Sequence, residues 1–385
     1  MAQNHRERVF RSLEHSEPDR VPLDEPEGRF RSDTLMGLRE YLNVDDYDVI
    51  LDYLGIDFRH LERGVSRDFR KKAKLLGVPF DGYYIQLGEN IFEDEWGTRY
   101  EMTSDRLHWR YIHHPLVHIE DLEDYEFPDI NSPGRFYEAE NIIKEKKGAY
   151  VIGAHLWGSL LEQALALRSY DRFFVDLFRN ERFVNKLLDE LLKYRIEEAK
   201  YFVDLGVDIV QFGDDIGMQT TMLISPNLWR RYFKPRMKEL INSVKKYSGN
   251  NVWIFYHSDG YIEPVIDDLI EIGVQILNPI QPECMNPASI KKRWGNQLVL
   301  HGCISTQRTL PFGSREDVKK EVIMRVRECG ERGGLILAPS HSPQPDVPVE
   351  NIVTLYEAAK HFKGGCSPER LHRRNQSNYA VGCSK

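Results

Sequence analysis

No run in this 385-residue chain approaches the ~18 consecutive apolar residues that a membrane-spanning helix needs, so nothing in it reads as a span. Its start, Met1-Ala2-Gln3-Asn4-His5-Arg6, lacks the apolar core of a secretory leader, and a cytoplasmic protein is expected. Cysteine is scarce: five residues, at 284, 303, 329, 366 and 383, with no C-x-x-C among them. An odd, scattered set argues against a disulfide framework and for free thiols in a reducing compartment. No G-x-G-x-x-G or G-x-x-x-x-G-K-[ST] turn follows any apolar stretch, which removes the usual dinucleotide and P-loop phosphate cradles. Lys and Arg are nowhere concentrated on one face, and a net charge of −8 argues against nucleic acid as a partner.

What the chain has is an ordinary globular composition, 41% hydrophobic and 29% charged, and from residue 150 onward a regular rhythm. Apolar strands are expected at 150–154, 207–213, 252–256, 274–278, 297–302 and 335–339, each followed by residues at helical spacing. The segment 182–204, for example, sets Phe183, Val184, Leu187, Leu188, Leu191 and Leu192 on one stripe. Further helices are expected at 226–247, 262–272, 287–294, 315–330 and 348–362. Near-continuous apolar strands alternating with helices demand a parallel sheet covered on both faces. Two N-terminal candidates, 20–24 and 55–61, bring the strand count to eight, and the expected fold is a (β/α)8 TIM barrel forming one domain over residues 1–363. Residues 83–114 read as a hairpin insertion that turns near Gly97, gains a strand at 109–112 and covers one end of the barrel. The polar stretch 364–385 reads as a disordered tail.

The stretch Val252-Trp253-Ile254-Phe255-Tyr256-His257-Ser258-Asp259-Gly260 is a buried strand that delivers an imidazole and a carboxylate to its C-terminal end. Its bland alternative is a helix cap at Ser258 or Asp259. The arrangement recurs: His155, Asp214, Asp215, His257, Asp259, Asn278, Cys303 and His341 all stand at or just past strand ends, which share one face of a barrel. His257, Asp259 and His341 make two imidazoles and a carboxylate, the composition of a catalytic zinc site with an open position, and Cys303 is either a further ligand or pocket wall. The alternative is a metal-free site in which the histidines bind a carboxylate or move protons. Asp214 and Asp215 are candidates for base or substrate contact, with a loop-ordering role open for one of them. His155 and Glu162 complete the catalytic candidates, Glu162 either facing the site or standing as a solvated charge. Trp157, Gln219, Arg29 and Asn278 are the substrate-contact candidates. Trp96, Tyr83 and Tyr84 read as packing or as part of a lid.

Several stretches together carry a resemblance: Asp19-Arg20-Val21-Pro22, Gly213-Asp214-Asp215-Ile216-Gly217-Met218-Gln219 with Ser225-Pro226, His257-Ser258-Asp259-Gly260, His301-Gly302-Cys303-Ile304-Ser305-Thr306-Gln307, and Leu337-Ala338-Pro339-Ser340-His341 with Pro348-Val349-Glu350-Asn351-Ile352. In this order, over residues 5–363, the chain resembles the uroporphyrinogen decarboxylase superfamily. That resemblance implies a (β/α)8 barrel and one of two chemistries. The decarboxylases of the superfamily use no cofactor and clamp a polycarboxylate with an Arg-rich N-terminal segment. The matching stretch here, Asp24-Glu25-Pro26-Glu27-Gly28-Arg29-Phe30, has three carboxylates and one Arg, which would repel such a substrate. The other branch is similar to methylcobamide:coenzyme M methyltransferases, where an H-x-C pair and a later Cys hold zinc. His257 matches the His, while Asp259 and His341 stand where the two Cys would be. Replacing thiolates by oxygen and nitrogen ligands makes a harder zinc, suited to an oxygen rather than a thiol. The resemblance therefore implies methyl transfer from an O-methyl, or less readily an N-methyl, small molecule to a corrinoid (cobalamin) cobalt. The chain has no D-x-H-x-x-G corrinoid-binding motif, so the corrinoid is expected on a separate partner protein that docks at the barrel mouth. A metal-free decarboxylase acting on a small carboxylated substrate is the alternative, and a non-catalytic tetrapyrrole- or corrinoid-binding barrel stands behind it. Pattern alone does not separate an exposed apolar stripe from core, which leaves a homodimer open.

Overall fold

A computed structural model describes residues 3–73, 83–103 and 109–362. The tail expected at 364–385, the hairpin residues 104–108 and the cysteines at 366 and 383 lie outside the described residues.

The barrel wall begins with β1 (Phe58–Glu62). A small antiparallel sheet follows in sequence, β2 (Ile85–Gln86), β3 (Ile91–Glu93), β4 (Arg99–Met102) and β5 (Trp109–His113), paired in that order. The wall resumes with β6 (Val151–Leu156), β7 (Ile209–Gly213), β8 (Trp253–His257), β9 (Ile276–Ile280), β10 (Val299–Ile304) and β11 (Leu335–Pro339). These seven long strands are all parallel and ordered β1-β6-β7-β8-β9-β10-β11. Every residue of β6, β7, β9, β10 and β11 is buried, the result of side chains packing inward on one face and against helices on the other.

The eighth stave is the segment 22–24. The Leu337 N–H donates to the Pro22 carbonyl (2.9 Å), the Asp24 N–H to the Leu337 carbonyl (3.1 Å), and on the other side the Asp57 N–H to the Leu23 carbonyl (2.9 Å). This closes the ring between β11 and β1, and the fold is a (β/α)8 barrel. Pro22 has no N–H to give, which limits the pairing of this stave.

Helix boundaries follow local chemistry. Glu181–Leu205 runs 25 residues and stops at Gly206, whose φ of 85° no side chain opposes. The single helix expected at 226–247 is instead two, Pro226–Tyr232 and Lys234–Tyr247, because Pro235 cannot donate back across the junction at Phe233. The segment expected at 262–272 shortens to Ile266–Glu271 after a turn containing Pro264. Among the described residues no helix is long and apolar enough to cross a membrane. The small sheet turns where the sequence places its turn: the Asp94 N–H donates to the Thr98 carbonyl (3.0 Å) and Gly97 takes φ 78°. Trp96 at this turn is buried, its ring centroid 4.9 Å from that of Tyr194 on the long helix.

Candidate active site

The C-terminal ends of β6, β7, β8 and β11 surround a polar cavity of about 150 Å³ lined by His155, Trp157, Glu162, Asp215, His257, Asp259 and His341. Gly213 is what lets two of these ends approach: a Cβ there would come within 2.6 Å of the His257 carbonyl oxygen. The two aspartates that follow it part company. Asp214 turns back into the protein and accepts N–H groups of Leu160 (3.0 Å) and Glu162 (3.0 Å), capping the helix Leu161–Arg168. Burial pushes its carboxyl up to about 6 against the pull of those backbone N–H groups. Asp215 turns to the cavity, where its Oδ1 accepts the Asp259 N–H at 2.8 Å and lies 3.5 Å from His257 Nε2. Burial pushes this carboxyl up, but the hydrogen bond and charge of His257 outweigh it, and Asp215 stays below the usual carboxylate range.

Asp215, His257 and Asp259 offer one ligand atom each within 4.8 Å of one another. His341 Nε2 lies 3.5 Å from Asp259 Oδ2, which brings the second expected imidazole to the edge of the same group. Imidazole nitrogens and carboxylate oxygens suit zinc, so the donor set fits that ion. Cys303 does not join it. Gly302 (φ 93°) and Cys303 (φ 71°) break the in-and-out alternation of β10, where the register against β9 also shifts. The thiol instead meets Cys329 on the helix Arg315–Cys329, and a hydrogen bond between the two sulfurs pushes Cys303 well above the usual thiol range.

Glu162, in the first turn of its helix, does face the cavity. Burial, and then the charges of Asp215 and Asp214, push its carboxyl well above the usual range, which favours the protonated acid. His155 is buried, its ring 4.9 Å from that of Trp157 and its Nε2 2.8 Å from His60 Nδ1. Burial and the neighbouring His60 push the His155 imidazole well below its ordinary value.

Comparison with known proteins matches residues 79–362 to the family described as uroporphyrinogen decarboxylase (URO-D). The chain belongs to the URO-D family. It is 26% identical over 179 residues to the uroporphyrinogen decarboxylase of Trichodesmium erythraeum, covering 46% of each chain, and 24% identical over 183 residues to that of Nostoc punctiforme, covering 48% and 49%. It thus spans about half the length of the curated relatives it matches. Among solved structures it is similar to a methyltransferase from Methanosarcina mazei, with a TM-score of 0.66 and 20% identity over 94% of this chain and 99% of that one.

In this URO-D chain the remaining substrate-contact candidates divide. Trp157 and Arg29 line a wider cavity of about 770 Å³ that shares His155, Trp157, Glu162 and His341 with the small one and is walled by Tyr84, Tyr100, Trp109 and Tyr111. Arg29 is paired with Glu62 (2.7 Å), Arg31 with Asp33 (3.1 Å) and Arg63 with Glu198 (2.9 Å), so each of these cavity-lining cations already faces a carboxylate. Gln219 does not line either cavity; it is exposed and bonded to Gln307 at 3.2 Å. Asn278 lies beneath the cavity floor, between His257 and His301.

Four residues that matter to the site carry no mark in the strand-end pattern. His60 and His301 stand inside their strands, Asp24 belongs to the short stave, and Arg195 is on a helix. Arg195 is fully buried and donates to the carbonyls of Trp157 (2.8 Å), Gly158 (2.9 Å) and Ser159 (3.1 Å), which holds the loop that presents Trp157. A charged residue on the apolar stripe of a long helix is the signal that would have found it.

Proposed function

We propose that this protein is a zinc-dependent methyltransferase that moves a methyl group from an O-methyl small molecule to the cobalt of a corrinoid carried by a separate protein. The observation that carries the reading is the convergence of Asp215, His257 and Asp259, with His341 beside them, on the cavity that Glu162 also lines. Zinc held by His257, Asp259 and a further oxygen or nitrogen donor from Asp215 or His341 would supply Lewis acidity to the leaving oxygen. Glu162 supplies the proton. Glu162 would protonate the oxygen that keeps the electron pair of the broken methyl–oxygen bond, and a reduced corrinoid, when bound, would supply the nucleophile that takes the methyl group. His155, held neutral, bounds the small cavity beside Trp157 and adds no positive charge near the departing methyl. The wide aromatic cavity, about 770 Å³, is large enough for a small-molecule donor.

The test is a half-reaction: the protein with zinc, a reduced corrinoid protein and a panel of O-methyl compounds, followed by the corrinoid absorbance. Formation of methyl-cobalt that needs both zinc and the O-methyl compound supports the reading. Release of carbon dioxide from a carboxylated compound, without corrinoid, replaces it with the decarboxylase reading.

A further inference from the structure

Beneath the cavity a continuous hydrogen-bonded chain runs through the barrel interior. His257 Nδ1 lies 2.5 Å from Asn278 Oδ1, Asn278 Nδ2 2.6 Å from His301 Nδ1, and His301 Nε2 3.0 Å from Asp24 Oδ2. On the other side Asp24 Oδ1 lies 2.8 Å from His60 Nε2, and His60 Nδ1 2.8 Å from His155 Nε2. Asp24, Asn278, His301, His155 and His257 are all buried, and Asp24 is 1% exposed. The chain therefore ties together two imidazoles that line the cavity, and a carboxylate is at its centre.

The direction of each bond follows from donor and acceptor chemistry. An ionised carboxylate only accepts, so His301 must donate from Nε2 and, as a neutral ring, accept at Nδ1. Asn278 must then present its amide N–H to His301 and its oxygen to His257. That oxygen accepts only if His257 carries a hydrogen on Nδ1, which leaves Nε2 as the nitrogen that faces the cavity. Asp215, 3.5 Å from Nε2, pulls the other way, since its carboxylate would accept a hydrogen placed there. When the ring carries one hydrogen its two ends compete for it, and Asn278 is both closer and backed by a buried carboxylate; when it carries two, Asp215 takes the second.

We propose that Asp24 is a positioning residue of the site: through His301 and Asn278 it holds a hydrogen on Nδ1 of His257 and so makes Nε2 the nitrogen presented to the cavity. An amide does not pass protons along, so the chain orients His257 without acting as a proton wire. The inference touches the metal reading only in naming Nε2 as the atom offered; the hydrogen position itself is read from the protein alone.

The experiment is nitrogen-15 NMR of the histidine rings in the full-length chain after chelator treatment, at pH about 8.5, where an ordinary imidazole is neutral. The expected wild-type spectrum has His257 protonated on Nδ1 and His301 on Nε2. In Asp24→Asn the chain loses its acceptor-only centre, and His257 shifts to the Nε2–H form facing Asp215. Asn278→Leu, which cuts the chain beside His257, gives the same shift and carries the test should Asp24→Asn fail to fold. Zinc titrated into either variant should bind about 10- to 100-fold more weakly than to wild type. A merely structural Asp24 would lower the unfolding temperature and leave the His257 signals unmoved. His257 on Nε2–H in the wild type, or unmoved signals in a folded variant, overturns the proposal; failure of the methyl-transfer assay alone does not touch it.

Discussion

The Asp214 carboxylate accepts the backbone N–H of Glu162 at 3.0 Å, so one of the two adjacent aspartates fixes the position of Glu162 while the other faces the cavity. This division separates what their variants do. Asp214→Ala leaves the N–H groups of Leu160 and Glu162 without their acceptor, and a lost cap of this kind costs roughly 1–2 kcal/mol. Asp215→Ala removes no helix cap and only one acceptor, that of the Asp259 N–H, on a half-exposed side chain, so its unfolding midpoint should fall less than that of Asp214→Ala. Denaturant unfolding of the two variants side by side checks this; equal losses would mean that Asp214 does not anchor the helix.

Metal binding should follow the cluster and not the thiol. His257→Ala and Asp259→Ala are expected to lose stoichiometric zinc, measured by elemental analysis of the purified protein. Cys303→Ser should retain it, because that sulfur is turned to Cys329 behind the barrel wall. Zinc at a hundredfold excess over its dissociation constant should stabilise the wild type by about 2.7 kcal/mol, and the two ligand variants much less. Loss of zinc in Cys303→Ser would place a thiolate in the site after all.

How far the sequence carried is clearest in β8 and β10. In β8 the apolar run ends at His257 without interruption, so strand-end logic delivers the side chain to the cavity, and period-two alternation holds all along it. In β10 the same logic delivers Cys303, and fails, because two successive positive φ angles at Gly302 and Cys303 reset which way the chain faces. Nothing in the residue types of His301-Gly302-Cys303 announces that. The eight staves were legible because each buried strand must read as apolar, whereas the chain from His257 to His155 was not. Its members are far apart in sequence, and only ring closure by 22–24 brings Asp24 between His60 and His301. Asn278 was read as a substrate contact because it ends an apolar strand; burial puts it one layer too deep.

Glu25 makes the stability pH-dependent. It is 2% exposed and bonded to Tyr47, with His60, Asp24 and Arg59 also acting on it; burial pushes its carboxyl up to about 7 from an ordinary 4.5. Between those values the folded chain holds a proton that the unfolded chain has released, so stability falls as pH rises through that window. The full loss above about pH 7 is on the order of 3 kcal/mol. His60, raised above its ordinary 6.5 by Asp24 despite the opposing effect of burial, contributes in the same sense, since its favourable charge is lost at higher pH. Glu25→Gln should flatten the slope between about pH 5 and about pH 8 without abolishing it. Urea midpoints across that range test the sign, and a slope unchanged in Glu25→Gln would assign all of it to other groups.

Gly28 is the position where a single methyl group should reach the site. Its φ is 78°, and a Cβ there would lie 2.2 Å from His155 Nε2 and 2.4 Å from Cε1 of the same ring. His155 is 3% exposed and fastened to His60, so the ring moves only by giving up that bond. Gly28→Ala must therefore either strain its own backbone or push His155 off His60. An overpacked core position of this kind costs about 1–3 kcal/mol, and the left-handed backbone adds to it. The nitrogen-15 signals of His155 and His60 should move in this variant while those of His257 stay in place, because the disturbance enters on the far side of Asp24. An alanine variant as stable as the wild type, with His155 unmoved, would show that the stretch around Gly28 gives way instead and that the ring is not clamped there.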